Sequence, residues 1–197
     1  DFHYLTGFPE PDAVLAAWSG LGYYRRARHL HEAARTVVRE HGGRVPSVPA
    51  DFAALPGVGR YTLGAVLSIG FGARLPVLDG NVARVLARWT ARPLQVRRPA
   101  DAKTLWAMAE ALVEGRSPVA GAEHPGDWNQ ALMELGATVC TPRAPRCGDC
   151  PVRRGCRAFA LGAPEAFPPA AVRRTGERVR RAVAIVERGG RMLVARR

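Results

Sequence analysis

Apolar positions recur every three or four residues along most of this chain, the spacing that gathers them on one face of a helix. Pro11 to Trp18 reads as a short helix closed by Gly20 and Gly22, and Tyr24 to Glu40 as a longer one closed by Gly42 and Gly43. Leu30, Ala33, Ala34, Val37 and Val38 supply the apolar face of the second. Ser47 to Ala54 follows as a helix, with Ser47 as N-cap and proline in the first turn. The tight turn Leu55-Pro56-Gly57-Val58-Gly59 then leads into a helix from Tyr61 to Ile69. Three more helices are predicted over Asn81 to Thr90, Ala102 to Glu114 and Trp128 to Val139, with Asp79, Asp101 and Asp127 placed to cap them. The body is mainly α.

The pattern breaks after Gly162. Prolines and arginines crowd an aperiodic stretch up to Arg178, which reads as a linker. Val183 to Val186, Gly189-Gly190 and Met192 to Val194 then read as a β-hairpin opening a second domain. The chain starts at Asp1 without methionine and stops at Arg197 just after this strand-like run, as a piece of a longer protein would.

Composition narrows the partners. A chain of 197 residues with 47% hydrophobic content can bury one core or two small lobes. A formal charge of +12 makes the surface self-repelling unless a polyanion is near, which points to nucleic acid. Lys103 is the sole lysine, so the positive charge is almost all arginine. Neither a membrane span nor a signal peptide is visible, and an intracellular protein is expected.

All four cysteines fall within 17 residues, as Cys140-x6-Cys147-x2-Cys150-x5-Cys156. Four thiolates so close in sequence can share one metal centre. Disulfides fit poorly without a secretory context. Structural zinc sites usually pair two short knuckles, and only Cys147 and Cys150 form one here. The spacing favours an iron–sulfur cluster and leaves zinc open.

Two further features carry chemistry. The glycines of the 55–59 turn allow positive φ and leave N–H groups uncovered at the start of the next helix, a geometry that suits an anion as well as a plain helix connection. Asp79, ahead of Gly80 and Asn81, serves as an N-cap, and the same position favours an ionised carboxylate that can face a cationic transition state.

Together, the 55–59 turn, Leu78-Asp79-Gly80-Asn81 and the cysteine spacing resemble the helix-hairpin-helix DNA glycosylases with a C-terminal [4Fe–4S] loop. The likeness covers most of residues 11 to 160. Gly20 to Arg28 and Asn129 to Ala137 look like the adenine-excising branch, which removes adenine mispaired with 8-oxoguanine. The resemblance implies a two-lobed fold: residues 1–74 with the hairpin, 75–160 with Asp79 and the cluster loop, a linker over 161–178, and the start of a Nudix-like domain at 179–197. It implies a [4Fe–4S] cluster on Cys140, Cys147, Cys150 and Cys156, and a monomer acting on double-stranded DNA with A:8-oxoguanine or A:G mispairs in a bacterial cytoplasm.

It also implies roles. Asp79 would stabilise or trap the oxocarbenium-like sugar, with Tyr61 and Asn81 holding sugar and carboxylate. Leu55, Gly57, Val58, Gly59, Arg60, Arg143 and Arg146 would contact DNA, and Leu21 and Tyr23 would occupy the opened base stack. Lyase relatives resembling endonuclease III carry a nucleophilic lysine where this chain has Tyr61, so a hydrolytic, monofunctional enzyme is expected. The family's general acid is a glutamate on an upstream helix beside a Gln-Thr stretch; no such stretch occurs here, and Glu10 lies in a Pro-Glu-Pro loop. Residues 1–197 alone are therefore expected to excise adenine very weakly; robust single-turnover release would contradict this. The alternatives are a non-catalytic lesion-binding module, the bifunctional lyase, and a zinc-stabilised interaction protein.

Overall fold

The computed structural model describes residues 11–115, 124–170 and 186–193, and these are helical apart from one short hairpin. The helices are α1 (Pro11–Ala17), α2 (Tyr24–His41), α3 (Pro49–Ala53), α4 (Arg60–Phe71), α5 (Gly80–Thr90), α6 (Pro99–Val113), α7 (Pro125–Glu134) and α8 (Arg157–Ala160). Gly42 ends α2 at φ 58°, and its N–H donates to the Val37 carbonyl.

Helix starts follow proline more closely than the side-chain caps expected. Val48, not Ser47, occupies the N-cap of α3, with Pro49 next. Pro99 and Pro125 begin α6 and α7 two residues before Asp101 and Asp127, which therefore sit inside the first turn. There they still face the positive end of the helix dipole. Asp101 Oδ2 also accepts from Gln95 N–H at 3.0 Å. Of the three aspartates, only Asp79 caps as expected.

Two buried clusters divide the helical body. Ala33, Val37, Phe52, Leu55 and Leu67 join α2, α3, α4 and the turn. Leu78, Val82, Leu86, Leu105, Leu112 and Leu132 join α5, α6 and α7. The two meet where α4 lies against α7. A Cβ at Gly126 would come within 2.6 Å of the Ser68 carbonyl oxygen, so α7 approaches α4 more closely than any side chain there allows. Inside this contact Asn129, 1% exposed, donates to Ser68 Oγ at 2.8 Å and to the Leu75 carbonyl at 2.9 Å. A buried amide so engaged fixes the register of two helices that apolar packing alone would leave free to slide.

The last predicted helix of the body changes character near its end. At Leu135–Val139 it widens into a π-turn, in which Cys140 N–H donates to the Leu135 carbonyl at 2.7 Å. The described part of the stretch read as a linker, up to residue 170, folds against the body. Pro164–Ala166 forms a 3-10 turn, Glu165 accepts from Ala144 N–H at 2.9 Å, and the Phe167 and Pro169 carbonyls accept from Arg88 and Gln95 at 2.9 Å each.

In the hairpin, β1 (Glu187–Arg188) pairs antiparallel with β2 (Arg191–Met192). Gly189 and Gly190, at φ 58° and 70°, supply the two positive-φ positions that a tight two-residue turn requires. That turn draws the pairing closer to the glycines than the apolar runs suggested; Leu193 N–H still reaches the Val186 carbonyl at 2.9 Å. The expected strand residues Val183 to Ile185 and Val194, like Glu10, lie outside the described residues. No helix among the described residues is long and apolar enough to cross a membrane.

Candidate functional site

The 55–59 turn is shaped from beneath. Leu55 is 5% exposed and anchors the turn in the first core, which leaves the backbone of the turn, rather than this side chain, facing outward. Val58 packs against the same core, and its N–H closes the turn on the Leu55 carbonyl at 3.1 Å. Gly57 sits at φ 79°, and a Cβ there would lie 2.5 Å from His29 Cβ on α2. Only glycine satisfies both demands. Gly59 is the N-cap of α4 without a side-chain bond, and the first turn of α4 carries no acidic residue. What the turn presents outward is therefore backbone at a positive helix end. Arg60, the next residue, lays its guanidinium over the Trp106 ring, 4.0 Å from the centroid, and pairs with Glu110.

A second loop does the opposite with its side chains. Gly20 and Gly22 take φ 87° and 67°, and Tyr23 itself takes φ 47°, a conformation that costs a non-glycine residue about 1 kcal/mol. Trp18 Nε1–H holds the Gly22 carbonyl at 2.9 Å and fixes the loop. Leu21 and Tyr23 stand 68% and 82% exposed. Two large apolar groups are thus held in water on a strained support, as a wedge surface needs.

Asp79 is the N-cap of α5. Its Oδ1 accepts from Val82 N–H at 2.7 Å and its Oδ2 from Asn81 Nδ2 at 3.2 Å. Asn81 is held in turn by Arg84, whose guanidinium donates to Asn81 Oδ1 at 2.9 Å, to the Gly136 carbonyl at 2.6 Å and to the Cys140 carbonyl at 2.8 Å. Burial, and after it the charge of Arg88, lowers the Arg84 pKa, against the pull of Cys140 and Asp79. Gly136 is part of the fit: a Cβ on it would come within 2.7 Å of Asn81 Cβ. Tyr61 reaches the neighbourhood along α4, its hydroxyl 3.8 Å from Met133 Sδ on α7. The carboxylate is fixed, partly buried and at a positive helix end, which suits it to face positive charge.

The cysteine loop is fastened to the same helix. Arg88, 2% exposed, donates to the carbonyls of Cys140, Thr141, Pro142 and Phe167 and lies 3.4 Å from Cys140 Sγ. All four cysteines line one pocket with Arg88, Val139, Pro145 and Phe159. Burial, then the neighbouring Cys140, Cys156 and Cys150, pushes the Cys147 thiol up; burial does the same for Cys150. The thiols are free rather than disulfide-bonded, and among the described residues no group of three or more His, Cys, Asp or Glu closes to single-ion geometry. Four thiols around one largely apolar space, with Arg88 beside them to offset their charge, suit a metal centre. Arg143 and Arg146 are exposed on this loop, Arg146 donating to the Thr138 carbonyl at 2.9 Å.

Sequence reasoning missed Arg84, Arg88 and Asn129. Arg88 carried a signal, being a charge set in the apolar run Val85-Leu86-Ala87-Arg88-Trp89. Arg84 carried none, since it suits a solvated helix face, and Asn129 stood only at the head of the 129–137 stretch, with nothing to show its buried bonds.

A helix, a glycine turn and a helix, followed by an aspartate that caps the next helix, are the parts of a helix-hairpin-helix base-excision protein. Residues 5–100 match the family described as HhH-GPD superfamily base excision DNA repair protein, and the chain belongs to that superfamily. Among solved structures, a thermostable thymine-DNA glycosylase superposes with a TM-score of 0.66 at 30% identity, over 81% of this chain and 70% of that one. A non-covalent endonuclease III–DNA complex shares the fold, with a TM-score of 0.64 at 21% identity over 82% of this chain and 70% of that one.

Several curated adenine DNA glycosylases are similar to this chain. The adenine DNA glycosylase of Homo sapiens is 51% identical over 75% of this chain and 26% of its own length. That of Arabidopsis thaliana is 45% identical over 77% of this chain and 23% of its own length. That of Buchnera aphidicola subsp. Acyrthosiphon pisum is 34% identical over 83% of this chain and 45% of its own length. The chain thus spans from about a quarter to under half of the relatives it matches.

Proposed function

We propose that this chain forms the core of a monofunctional adenine DNA glycosylase that hydrolyses the N-glycosidic bond of adenine opposite 8-oxoguanine or guanine in double-stranded DNA, acting as a monomer. The observation that carries the reading is Asp79, a carboxylate pinned by Val82 and Asn81 at a helix start. A base buried in a duplex is out of reach, so the nucleotide must swing out, at an unstacking cost of a few kcal/mol. Leu21 and Tyr23 fill the gap it leaves, and the backbone of Gly57, Val58 and Gly59, with Arg143 and Arg146, engages phosphates.

As the glycosidic bond lengthens, positive charge grows on the sugar, and Asp79 faces it without having to reorganise. Asn81 keeps the carboxylate oriented, and Arg84 keeps Asn81. Tyr61, on the second hairpin helix, hydrogen-bonds the sugar or its phosphate; its phenol cannot form an imine, so water completes the reaction, its OH bonding to the sugar C1′ as the C1′–N9 bond breaks and a net proton leaving on adenine. Cys140, Cys147, Cys150 and Cys156 would hold a [4Fe–4S] cluster, which when bound shapes the basic loop and leaves no open coordination site for substrate.

The test is single-turnover release of adenine from an A:8-oxoguanine duplex by the whole protein and by Asp79→Asn. The reading expects duplex affinity within about threefold of wild type and a rate loss of roughly a thousandfold. Equal rates would refute it. Iron and sulfide analysis decides the cofactor: stoichiometric zinc without sulfide would replace the cluster by a zinc site.

A further inference from the structure

We propose that Arg60 is a positioning residue, a strut that sets the hairpin's angle against the second lobe, and not a phosphate ligand; this rests on the DNA-binding reading above. Its place in the sequence, directly after the glycine turn in a strongly basic chain, suggests a cation offered to DNA. Its side chain is used otherwise. The guanidinium stacks 4.0 Å from the centroid of Trp106 and pairs with Glu110. Trp106 and Glu110 are four residues apart on α6, so they share one face and take the flat of the guanidinium and its edge together.

The location gives the contact a purpose. Arg60 is the first residue of α4, whose Leu67 packs in the first core, whereas α6 contributes Leu105 and Leu112 to the second. On the other side of the turn, His29 closes against Gly57. The turn is thus held by α2 at one edge and by α6 at the other. The buried Asn129 contact fixes α4 against α7 further along the helix but leaves its N-terminal end to be aimed. Arg60 aims it. A phosphate arriving at the same guanidinium would also meet the Glu110 carboxylate, which repels it.

The two roles separate in the salt dependence of binding. A residue that neutralises one phosphate contributes about 0.9 to the slope of log affinity against log salt, and its loss removes that share. In the whole protein, with a short labelled duplex carrying one A:8-oxoguanine pair, Arg60→Gln is expected to weaken binding about threefold with the slope unchanged. Glu110→Gln is expected to weaken it in the same direction, and the reversed pair Arg60→Glu with Glu110→Arg to recover most of the loss. A slope reduced by about one in Arg60→Gln, or tighter binding by Glu110→Gln, would overturn the strut. If the wild-type protein does not bind the duplex, the DNA reading fails by itself. The strut then rests on a melting cycle of Arg60→Gln, Glu110→Gln and the double variant, where additive losses refute it and non-additive losses support it.

Discussion

The loop carrying Leu21 and Tyr23 and the centre around Asp79 are built on opposite plans. The loop spends strain to keep two apolar side chains in water: Gly20, Gly22 and Tyr23 all take positive φ, and the exposed side chains gain no packing in return. The Asp79 centre hides its polar groups and satisfies them, through Asn81, Arg84 and the carbonyls of Gly136 and Cys140. The contrast matches the tasks proposed for them. A surface that must enter a base stack has to be available before its partner arrives, and a carboxylate that must meet a fleeting cation has to be immobile.

That division can be broken from the rigid side first. Arg88→Leu removes a buried cation and strands the carbonyls of Cys140, Thr141, Pro142 and Phe167, so it should cost about 3 kcal/mol or more in thermal unfolding. Retained stability would mean that these bonds do not fasten the cysteine loop. Gly136→Ala is smaller in size and closer to the chemistry. Its new methyl meets Asn81 at 2.7 Å, and a cost of about 2 kcal/mol is expected, with slower excision at a temperature where the variant is still folded. Unchanged excision would show that Asn81 need not be held in place.

The presented side should respond in the reverse manner. Tyr23→Ala removes little packing, so the midpoint of unfolding should shift by less than about 0.5 kcal/mol equivalent. Its preference for a mispaired over a matched duplex should fall by about tenfold, the worth of one lost stacking contact. A large stability loss with full discrimination would make Tyr23 a packing residue.

Much of this was legible in the chain itself. The helical body followed from apolar period and glycine stops, because those signals are local. The capping role of Asp79 followed because an aspartate ahead of a helix suits its N-cap, and the structure puts it there. Helix starts at Pro49, Pro99 and Pro125 were displaced from the expected caps because proline's fixed φ outweighed a side-chain bond. The side chains of Leu55 and Arg60 could not be placed from sequence. One turns to a core assembled from three helices and the other to a helix some forty residues onward, and no local pattern encodes either partner. Arg84 and Asn129 stayed hidden for a like reason: the Gly136 and Cys140 carbonyls that Arg84 holds, and the Ser68 and Leu75 oxygens that Asn129 holds, are distant in the chain.

We propose that the Asp79 centre, with Tyr61 in place of a lysine nucleophile, releases adenine by hydrolysis. The whole protein incubated with an A:8-oxoguanine duplex in borohydride measures it directly, with free adenine and covalent adduct counted in the same reaction. Adenine release without a reduced protein–DNA adduct is the expected result. A stoichiometric adduct, or no adenine release by the intact protein, would contradict the account.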